Sequence, residues 1–191
     1  MLEIAILAGG LSSRMGRTKS RLRLGSRTLA GHVRHNAAEL KLPVRVIRKD
    51  LVPKCGPLGG VYSALKTTRA EAVLFLPCDT PFLSGALLRR FVAEFEGARA
   101  LFGITQGKPG FPIILPRSLL PIVEQQIEAG AFALHDLARV TEAHLVPVPP
   151  DELFNINTPA DLAEARTRYS STQKRHKKSR IPRQERLVKR R

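Results

Sequence analysis

Short apolar runs alternate with helix-like segments along the chain, and this alternation limits the fold more than any other feature of the sequence. Apolar runs occupy residues 3–8, 44–47 and 72–76, and each one ends at a loop rich in glycine, charge or proline. Strands that alternate with helices at this spacing form a largely parallel sheet with helices on both faces. The sequence therefore predicts an α/β protein, a Rossmann-like three-layer α/β/α sandwich with a mostly parallel sheet.

Residues that commonly cap or interrupt helices divide the rest of the chain. Thr28, Ser84 and Thr158 are suited to helix caps. The glycine-rich segments 56–60 and 107–110 are predicted to be turns. The remaining predicted elements are helices at 28–40, 60–66, 83–94, 118–127 and 132–138, and strands at 100–105, 111–115 and 143–146. Ligands of such sheets bind beyond the carboxyl ends of the strands, so the loops that follow the strands are the places to look for a site.

Positive charge is concentrated near the C-terminus. The formal net charge is +16, and the segment from Gln173 to Arg191 contains ten Lys or Arg residues and one acid. This segment has few apolar residues, so we expect a domain over residues 1–169 and a basic, disordered tail over residues 170–191. The tail is suited to a nucleic acid or an acidic partner, but a solvated tail without a dedicated partner is slightly favoured.

Several absences favour a cytoplasmic protein without a membrane span. No apolar run approaches the ~20 residues that a spanning helix needs, and the N-terminus resembles a strand rather than a signal peptide. Cys55 and Cys78 are too few for a disulfide framework and form no metal-type pair. Four histidines are expected to be partly exposed or without partners: His32, His35, His135 and His144.

A glycine-rich, basic loop follows the first predicted strand. Gly9 and Gly10 let backbone N–H groups approach phosphate oxygens, because glycine has no Cβ atom. Arg14 and Lys19 add positive charge suited to a triphosphate. The spacing is neither that of a P-loop nor that of a dinucleotide-binding fingerprint. Glycine and charge alone fit a flexible, basic surface loop about equally well.

The complete segment 7–19 narrows this choice. It reads Leu-Ala-Gly-Gly-Leu-Ser-Ser-Arg-Met-Gly-Arg-Thr-Lys and closely resembles the signature Leu-Ala-Gly-Gly-x-Ser-x-Arg-Met-Gly-x-Asp-Lys of the molybdenum cofactor guanylyltransferases, the MobA-like nucleotidyltransferases. Thr18 is a departure, because the family usually has an acid there. The resemblance implies a nucleotide-diphospho-sugar-transferase-like fold. It also implies phosphate-holding catalytic roles for Arg14 and Lys19, and a nucleotide cradle made of Leu7, Ala8, Gly9 and Gly10.

An acid follows the apolar run 72–76. The segment Cys78-Asp79-Thr80-Pro81-Phe82 puts a carboxylate just beyond a buried strand, where Mg²⁺ could be held against the α- and β-phosphates. A turn aspartate taken alone is more often structural. The segment resembles the family's Cys-Asp-x-Pro-Phe/Tyr motif, and this resemblance implies that Asp79 binds Mg²⁺ and takes part in catalysis and nucleotide binding.

Two asparagines precede the last predicted helix. The segment 154–162 reads Phe-Asn-Ile-Asn-Thr-Pro-Ala-Asp-Leu and resembles the family motif Phe-x-Asn-x-Asn-Thr-Pro-Glu-Asp-Leu. By that analogy Asn155 and Asn157 line the active site, where an amide oxygen would complete the shell of the metal or of the acceptor. We select Asn157 over Asn155 as a metal ligand. Thr158, Pro159 and Asp161 have a structural explanation at the start of the helix.

Asp50 is the candidate for recognition of the base. The stretch from Asp50 to Gly60 resembles the family's Asp…Gly-Pro-Leu-x-Gly segment, whose aspartate lies by the nucleotide base. A carboxylate can accept hydrogen bonds from N1 and N2 of guanine, a pattern that cytosine lacks. An exposed loop acid is an equally good interpretation. Family members that prefer CTP tend to have Ala-Ala-Gly at the position of residues 8–10, so the resemblance favours GTP.

The region before Asp50 departs from the family. Family members usually have two strands and a connecting helix there, with a base-contacting asparagine, whereas this chain has one predicted strand at 44–47 and no matching asparagine. Base selectivity is the property that this difference affects most. Lys108 lies where the family faces its acceptor, although a plain turn explains it as well.

The four motifs predict a Mg²⁺-dependent nucleotidyltransferase that moves GMP from GTP to molybdenum–molybdopterin and releases pyrophosphate. The acceptor's own phosphate oxygen would be the nucleophile. The implied partners are GTP, the molybdopterin-type acceptor and proteins that handle the molybdenum cofactor. Two alternatives stay open: a cytidylyltransferase or sugar-phosphate nucleotidyltransferase of the same fold, and an inactive nucleotide-binding protein that docks through its tail.

Overall fold

A six-stranded sheet forms the centre of the molecule. The structure is a computed structural model that describes residues 1–9 and 22–179. The strands of this sheet are β1 (Leu2–Leu7), β4 (Val44–Ile47), β5 (Ala72–Pro77), β6 (Leu101–Thr105), β7 (Lys108–Pro116) and β8 (His144–Pro147), in the spatial order β4-β1-β5-β7-β6-β8. A separate hairpin joins β2 (Arg23–Leu24) and β3 (Arg27–Thr28).

Strand directions make the sheet mostly parallel, as predicted. β1 pairs in parallel with both β4 and β5, and β6 pairs in parallel with β8. β7 is antiparallel to β5 and to β6. Five of the six strands therefore run in one direction, and their carboxyl ends meet at one edge of the sheet. β4 is an outermost strand of this sheet.

Six α-helices surround the sheet in the described part of the chain. They are α1 (Leu29–Ala37), α2 (Gly56–Thr67), α3 (Gly85–Glu94), α4 (Leu120–Glu128), α5 (Leu134–Val140) and α6 (Pro159–Ser179). Short 3₁₀ turns occupy Ala38–Leu40, Arg117–Leu119 and Pro150–Leu153. None of the described helices combines the length and the hydropathy that a membrane crossing requires.

Alternate residues of the central strands enter two different cores. Ile4 and Ile6 of β1 pack with α1 and α3, whereas Ala5 packs with α2, α4 and α5. In β5, Leu74 and Phe75 divide in the same way. Side chains of a strand point alternately to opposite faces, so helices cover both faces of the sheet. The predicted three-layer α/β/α sandwich is therefore confirmed.

The predicted helix caps form as expected. The hydroxyl of Thr28 accepts from the backbone N–H of Gly31 at 3.0 Å, and that of Ser84 accepts from Leu87 at 3.1 Å. The hydroxyl of Thr158 accepts from the N–H of Asp161 at 3.1 Å. Each cap satisfies a backbone donor that the first helical turn leaves without a partner, a contribution of about 1 kcal/mol.

Two predicted turns are placed differently in the structure. Residues 56–60 are not a separate turn before α2 but the first five residues of that helix. Gly59 and Gly60 are buried there, and a Cβ atom would lie 3.0 Å from the Val52 carbonyl oxygen at Gly59 and 3.2 Å from the Leu7 side chain at Gly60. The β6–β7 connection is made by Gln106 and Gly107, which have positive φ angles of 49° and 74°. Lys108 consequently begins β7 rather than standing in the turn.

A third apolar cluster attaches the β2–β3 hairpin to α6. Leu24, Leu29, Ile156 and Ala165 are at most 1% exposed and form its centre, with Tyr169 packed against them. This cluster joins the residues just after the glycine-rich loop to the C-terminal helix. The hairpin therefore depends on α6 for part of its hydrophobic cover.

The histidine expectations were partly wrong. His32 is buried, its Nε2 lies 2.7 Å from the carbonyl oxygen of Leu24, and its ring meets the Tyr169 ring edge-on at 5.2 Å. His135 lies 3.9 Å from a carboxylate oxygen of Asp136, and His144 lies 3.6 Å from that of Glu94. The contacts of His32 and His144 depend on the tertiary fold, and that of His135 depends on its side-chain conformation. The sequence pattern reveals neither.

Helix α6 continues past the expected boundary of the domain. A disordered tail is predicted from residue 170, whereas the backbone of residues 170–179 is helical. Residues 180–191 lie outside the described part of the chain. The division into a nucleotidyltransferase domain over 1–169 and a separate tail stays a prediction.

Candidate active site

The ends of three neighbouring strands bring the first candidate residues together. The N–H of Ala8 donates to the carbonyl oxygen of Ile47 at 2.8 Å, and the N–H of Cys78 donates to that of Leu7 at 3.1 Å. The chain leaving β1 is therefore held between the chains that leave β4 and β5. Leu7, Ala8 and Gly9 of the predicted nucleotide cradle lie at this edge. Gly10, Arg14 and Lys19 fall outside the described residues, and their roles stay predictions.

The Asp50 carboxylate is enclosed by three glycines. Its Oδ1 lies 2.8 Å from the position that a Cβ atom on Gly9 would occupy. Its Oδ2 lies 3.3 Å from the corresponding position on Gly59, and Oδ1 lies 3.5 Å from that on Gly60. A Cβ atom on Gly9 would press on the carboxylate and one on Gly59 would sit tightly against it, whereas the distance at Gly60 is an ordinary van der Waals contact. The Asp50 side chain is thus partly buried beside the predicted phosphate loop, rather than exposed on a surface loop.

Burial changes the proton affinity of Asp50. Loss of hydration raises the pKa of the Asp50 carboxyl above its ordinary value of 3.8. Desolvation penalises the charged form of a carboxyl group, which accounts for this direction. A partly buried carboxylate beside the β1 loop can accept hydrogen bonds from a ligand that binds there.

Asp79 lies beside the asparagine segment. It is partly buried in the loop after β5, where the Thr80 hydroxyl donates to the carbonyl oxygen of Pro77 at 3.1 Å. The carbonyl oxygen of Asp79 accepts from the N–H of Ile156 at 3.0 Å. Two motifs that are far apart in sequence are therefore joined through their backbones at the carboxyl edge of the sheet.

The two asparagines flank a buried anchor. Ile156 is fully buried, Asn155 is exposed and Asn157 is partly buried. The Asp161 carboxylate accepts from the N–H groups of Asn157 and Thr158, each at 2.8 Å. Together with the Thr158 cap this forms a reciprocal capping arrangement. Asp161 has the structural role expected at the helix start, and it also fixes the backbone of Asn157 near the Asp79 loop.

The donor set at this edge is compatible with Mg²⁺. In residues 1–9 and 22–179 no group of three or more His, Cys, Asp or Glu side chains is arranged to hold a metal ion. Mg²⁺ in nucleotide-handling enzymes commonly takes one or two carboxylates together with phosphate oxygens and waters. The carboxylate of Asp79 and the amide oxygen of Asn157 fit that pattern.

Other features lie near or away from this edge. Lys108 is exposed at the β6–β7 hairpin, and β6 runs in the same direction as β5, so Lys108 belongs to the same edge. A cavity of about 350 Å³ lies elsewhere, against β8 and α5. Its lining includes Arg99, His135 and Leu145 but none of the predicted site residues, so we do not assign the nucleotide to it.

Sequence reasoning missed the residues that support Asp50. Gly59 and Gly60 were interpreted as turn residues, and Ser63 was not considered. Ser63 is 3% exposed in α2, where its hydroxyl contacts the backbone of the Asp50 loop. One signal was present in the sequence: Ser63 stands among apolar residues in the middle of the helix, where a polar residue needs a partner.

Comparisons with known proteins agree with this architecture. Residues 4–148 match the family model described as the MobA-like NTP transferase domain. A molybdenum cofactor guanylyltransferase of Rhizobium leguminosarum bv. trifolii (strain WSM2304) is 33% identical, with 85% of this chain and 91% of that protein covered. The molybdenum cofactor guanylyltransferase of Rhizobium meliloti (strain 1021) is also 33% identical, with 84% and 88% covered.

Solved structures share the fold. Molybdopterin-guanine dinucleotide biosynthesis protein A from Archaeoglobus fulgidus has a TM-score of 0.66 and 22% identity, covering 90% of this chain and 100% of that one. A 2-C-methyl-D-erythritol 4-phosphate cytidylyltransferase from Thermus thermophilus has a TM-score of 0.63 and 18% identity, covering 87% and 98%. These similarities establish the nucleotide-diphospho-sugar-transferase fold. With the family match over most of its length and relatives at 33% identity, the chain belongs to the MobA-like NTP transferase family and is a nucleotidyltransferase.

Proposed function

We propose that this enzyme transfers GMP from GTP to molybdenum–molybdopterin, which forms the guanine dinucleotide cofactor and releases pyrophosphate. Relatives named molybdenum cofactor guanylyltransferases support this choice, at 33% identity over most of both chains. The structural observation that best supports the proposal is that the carboxylates of Asp50 and Asp79 lie at the same edge of the sheet. Asp50 is enclosed by glycines on one side of the β1 loop, and Asp79 follows β5 on its other side.

The reaction exchanges one phosphorus–oxygen bond for another. A terminal phosphate oxygen of the acceptor attacks the α-phosphorus of GTP and forms the new P–O bond. The bond from the α-phosphorus to the bridging oxygen of the β-phosphate breaks, and its electron pair leaves on pyrophosphate. No side-chain nucleophile takes part, so the protein contributes mainly by orienting the reactants and by balancing charge.

Each candidate residue has a distinct role in this proposal. Backbone N–H groups of residues 8–10 approach the phosphates, and Arg14 and Lys19 neutralise their charge. Asp79 and Asn157 would hold Mg²⁺, which would supply positive charge against the phosphates during transfer. Asp50 accepts hydrogen bonds from N1 and N2 of guanine, which accounts for a preference for GTP.

Two differently labelled samples of GTP test this reaction. Label on the α-phosphate should appear in the dinucleotide cofactor, whereas label on the γ-phosphate should appear in pyrophosphate. A reaction without the molybdenum-loaded acceptor serves as the control and should release neither product. Label from the γ-phosphate in the cofactor, or pyrophosphate that forms equally without acceptor, would contradict the proposed transfer.

CTP is the main alternative nucleotide. β4, the strand that precedes Asp50, is the last strand on its side of the sheet, and base selectivity is the property that the shortened region before Asp50 affects most. A carboxylate has no acceptor pattern that favours cytosine, whose Watson–Crick edge offers one amino donor. Competition between unlabelled CTP and labelled GTP separates the two cases, because CTP should reduce labelling only if it binds the same site comparably well.

The proposal includes a cytoplasmic location and protein partners. Cys55 and Cys78 are buried and are not joined in a disulfide, a state suited to a reducing cytoplasm. Proteins that handle the molybdenum cofactor are the proposed source of the acceptor and destination of the product. The basic tail has no assigned role in the transfer reaction.

A further inference from the structure

Ser63 makes two hydrogen bonds that join the Asp50 loop to helix α2. It is 3% exposed in the middle of that helix. Its hydroxyl donates to the carbonyl oxygen of Gly59, one turn earlier, at 2.7 Å. The same oxygen accepts from the backbone N–H of Leu51 at 2.8 Å. A serine hydroxyl has one hydrogen to donate and lone pairs to accept with, so both capacities are used here.

The hydrogen bond that the Ser63 hydroxyl accepts is made by the residue directly after Asp50. The N–H of Leu51 belongs to the peptide group that follows Asp50, so its bond to Ser63 fixes one end of the Asp50 backbone. The Leu51 side chain is 56% exposed, and its burial therefore contributes little to holding this segment. Without the hydroxyl, the Leu51 N–H would turn to water and the loop would gain freedom.

The Asp50 loop packs closely against helix α2 near the hydrogen bond between Leu51 and Ser63. The carbonyl oxygen of Val52 lies 3.0 Å, and Oδ2 of Asp50 lies 3.3 Å, from the position of a Cβ atom on Gly59. Gly59 is also the residue whose carbonyl oxygen accepts from Ser63. The Ser63 hydroxyl thus connects the first turns of α2 to the backbone of the Asp50 loop by hydrogen bonds.

We propose that Ser63 is a positioning residue that holds the carboxylate of Asp50 in place to recognise the guanine base. This inference rests on the proposed function, because it assigns Asp50 to the base. Its physical basis is the unfavourable burial of the carboxylate, which would otherwise swing towards water. Loss of hydration at Asp50 raises the pKa of its carboxyl, in agreement with such a burial penalty.

Ser63→Ala is the test variant, and Thr67→Ala is its matched control. The Thr67 hydroxyl donates to the carbonyl oxygen of Ser63 at 2.7 Å, the same bond one turn further along α2. Thr67 is exposed, and its hydroxyl accepts from Arg45 at 2.9 Å rather than from the Asp50 loop. A general weakening of α2 should therefore affect both variants, whereas displacement of Asp50 should affect only Ser63→Ala.

Guanine recognition is measured by comparing GTP with ITP, which lacks the 2-amino group. Wild-type enzyme should prefer GTP over ITP in kcat/KM. Ser63→Ala should raise the KM for GTP about tenfold, which is the loss of roughly one hydrogen bond to a charged group, and should bring the GTP/ITP ratio towards one. The kcat at saturating GTP should change little. Ser63→Thr, which keeps the hydroxyl, should restore the preference.

A second readout does not depend on turnover. Exchange of the Leu51 amide hydrogen, followed by NMR on the full chain, should be slow in the wild type and fast in Ser63→Ala, but slow in Thr67→Ala. If Ser63→Ala does not fold, Ser63→Cys fills a similar volume with a weaker hydrogen-bonding group and takes its place.

The outcomes separate this inference from the proposed function. Wild-type enzyme that transfers no GMP, or that does not distinguish GTP from ITP, would overturn the role of Asp50 and the inference with it. Wild-type enzyme that prefers GTP, together with an unchanged GTP/ITP ratio in Ser63→Ala or a Leu51 amide that remains protected, would overturn the role of Ser63 alone. An equal fall of the GTP/ITP ratio in Thr67→Ala would show that Ser63 only stabilises the helix.

Discussion

Gly9 and Asp50 are in direct contact: the Oδ1 atom of Asp50 lies 2.8 Å from the position of a Cβ atom on Gly9. These residues follow the adjacent strands β1 and β4. The carbonyl oxygen of Arg48 lies 3.6 Å from the same position, so the space is limited on the backbone side as well. The contact joins the proposed phosphate cradle to the proposed base-recognising residue.

Gly9→Ala should displace the Asp50 carboxylate and weaken GTP binding. The added methyl group requires a shift of Oδ1, which can rotate away, so the fold should survive. We expect the KM for GTP to rise about tenfold, the loss of one charge-assisted hydrogen bond. Steady-state kinetics measures this change. Gly110→Ala is the control, because no atom lies within 4 Å of its Cβ position. A KM in Gly9→Ala equal to that of the control would contradict the contact's proposed importance.

Asp50→Asn should stabilise the nucleotide-free protein at neutral pH. Burial raises the pKa of the Asp50 carboxyl above 3.8. Between 3.8 and that raised pKa, the folded protein keeps a proton that the unfolded chain has lost, so the contribution of Asp50 to the free energy of unfolding falls as pH rises. Above this window the full penalty applies to the wild type but not to the asparagine variant.

Thermal unfolding across pH measures the effect of Asp50→Asn. The Tm of the variant should exceed that of the wild type at neutral pH, where the wild-type carboxylate is charged and partly buried. The difference should shrink as the pH falls towards 3.8, the ordinary pKa of the carboxyl. A variant that is less stable than the wild type at neutral pH would show that the charged carboxylate is favourably held.

Asp79→Ala should abolish most transfer without unfolding the domain. The Asp79 backbone carbonyl, which accepts from Ile156, is retained in the variant. Loss of a metal-binding carboxylate should lower kcat at least about 100-fold. Pyrophosphate release measures activity, and circular dichroism checks the fold. Asp136→Ala removes a carboxylate from α5, beside Arg139, and should stay near the wild-type rate. Near-normal transfer by Asp79→Ala would remove Asp79 from the metal site.

Two truncations test where the folded unit ends. A chain that ends at Tyr169 keeps the edge-on contact of Tyr169 with His32 and the Arg168 guanidinium 4.2 Å from the centre of the Phe154 ring. Its Tm and transfer rate should match those of the full chain. A chain that ends at Glu164 loses both contacts and should melt several degrees lower. Equal Tm values for the two truncations would mean that these contacts do not stabilise the hairpin and α6.

The strands and helix caps could be predicted because their signals are local. Apolar runs identified β1, β4 and β5, and Thr28, Ser84 and Thr158 cap helices as expected. Asp79 could be selected as a candidate because it lies just after a buried strand in a segment that resembles the family's Cys-Asp-x-Pro-Phe/Tyr motif. For the strands and the caps, the residue type and its neighbours in sequence contain the physical reason.

Residues whose roles depend on tertiary contacts were harder to predict. Gly59 lies in a helix although glycine disfavours helices. A Cβ atom there would lie only 3.0 Å from the Val52 carbonyl oxygen and 3.3 Å from Oδ2 of Asp50, which favours glycine at this position. His32 is buried because Leu24 and Tyr169 supply its partners. Ser63 contacts a loop twelve residues earlier in the chain. None of these partners is adjacent in sequence, so periodicity and composition do not reveal them.

The most direct test of the central claim is pyrophosphate release from GTP, CTP, ATP and UTP in separate reactions with Mg²⁺ and purified molybdenum-loaded molybdopterin. Our account predicts release with GTP and little with the other three, and no release without the acceptor. It also predicts that this preference is lost in Asp50→Ala. Release with CTP in preference to GTP would contradict the assignment of guanine to Asp50. No release with any triphosphate, from folded protein that still binds GTP, would contradict the proposed transfer itself.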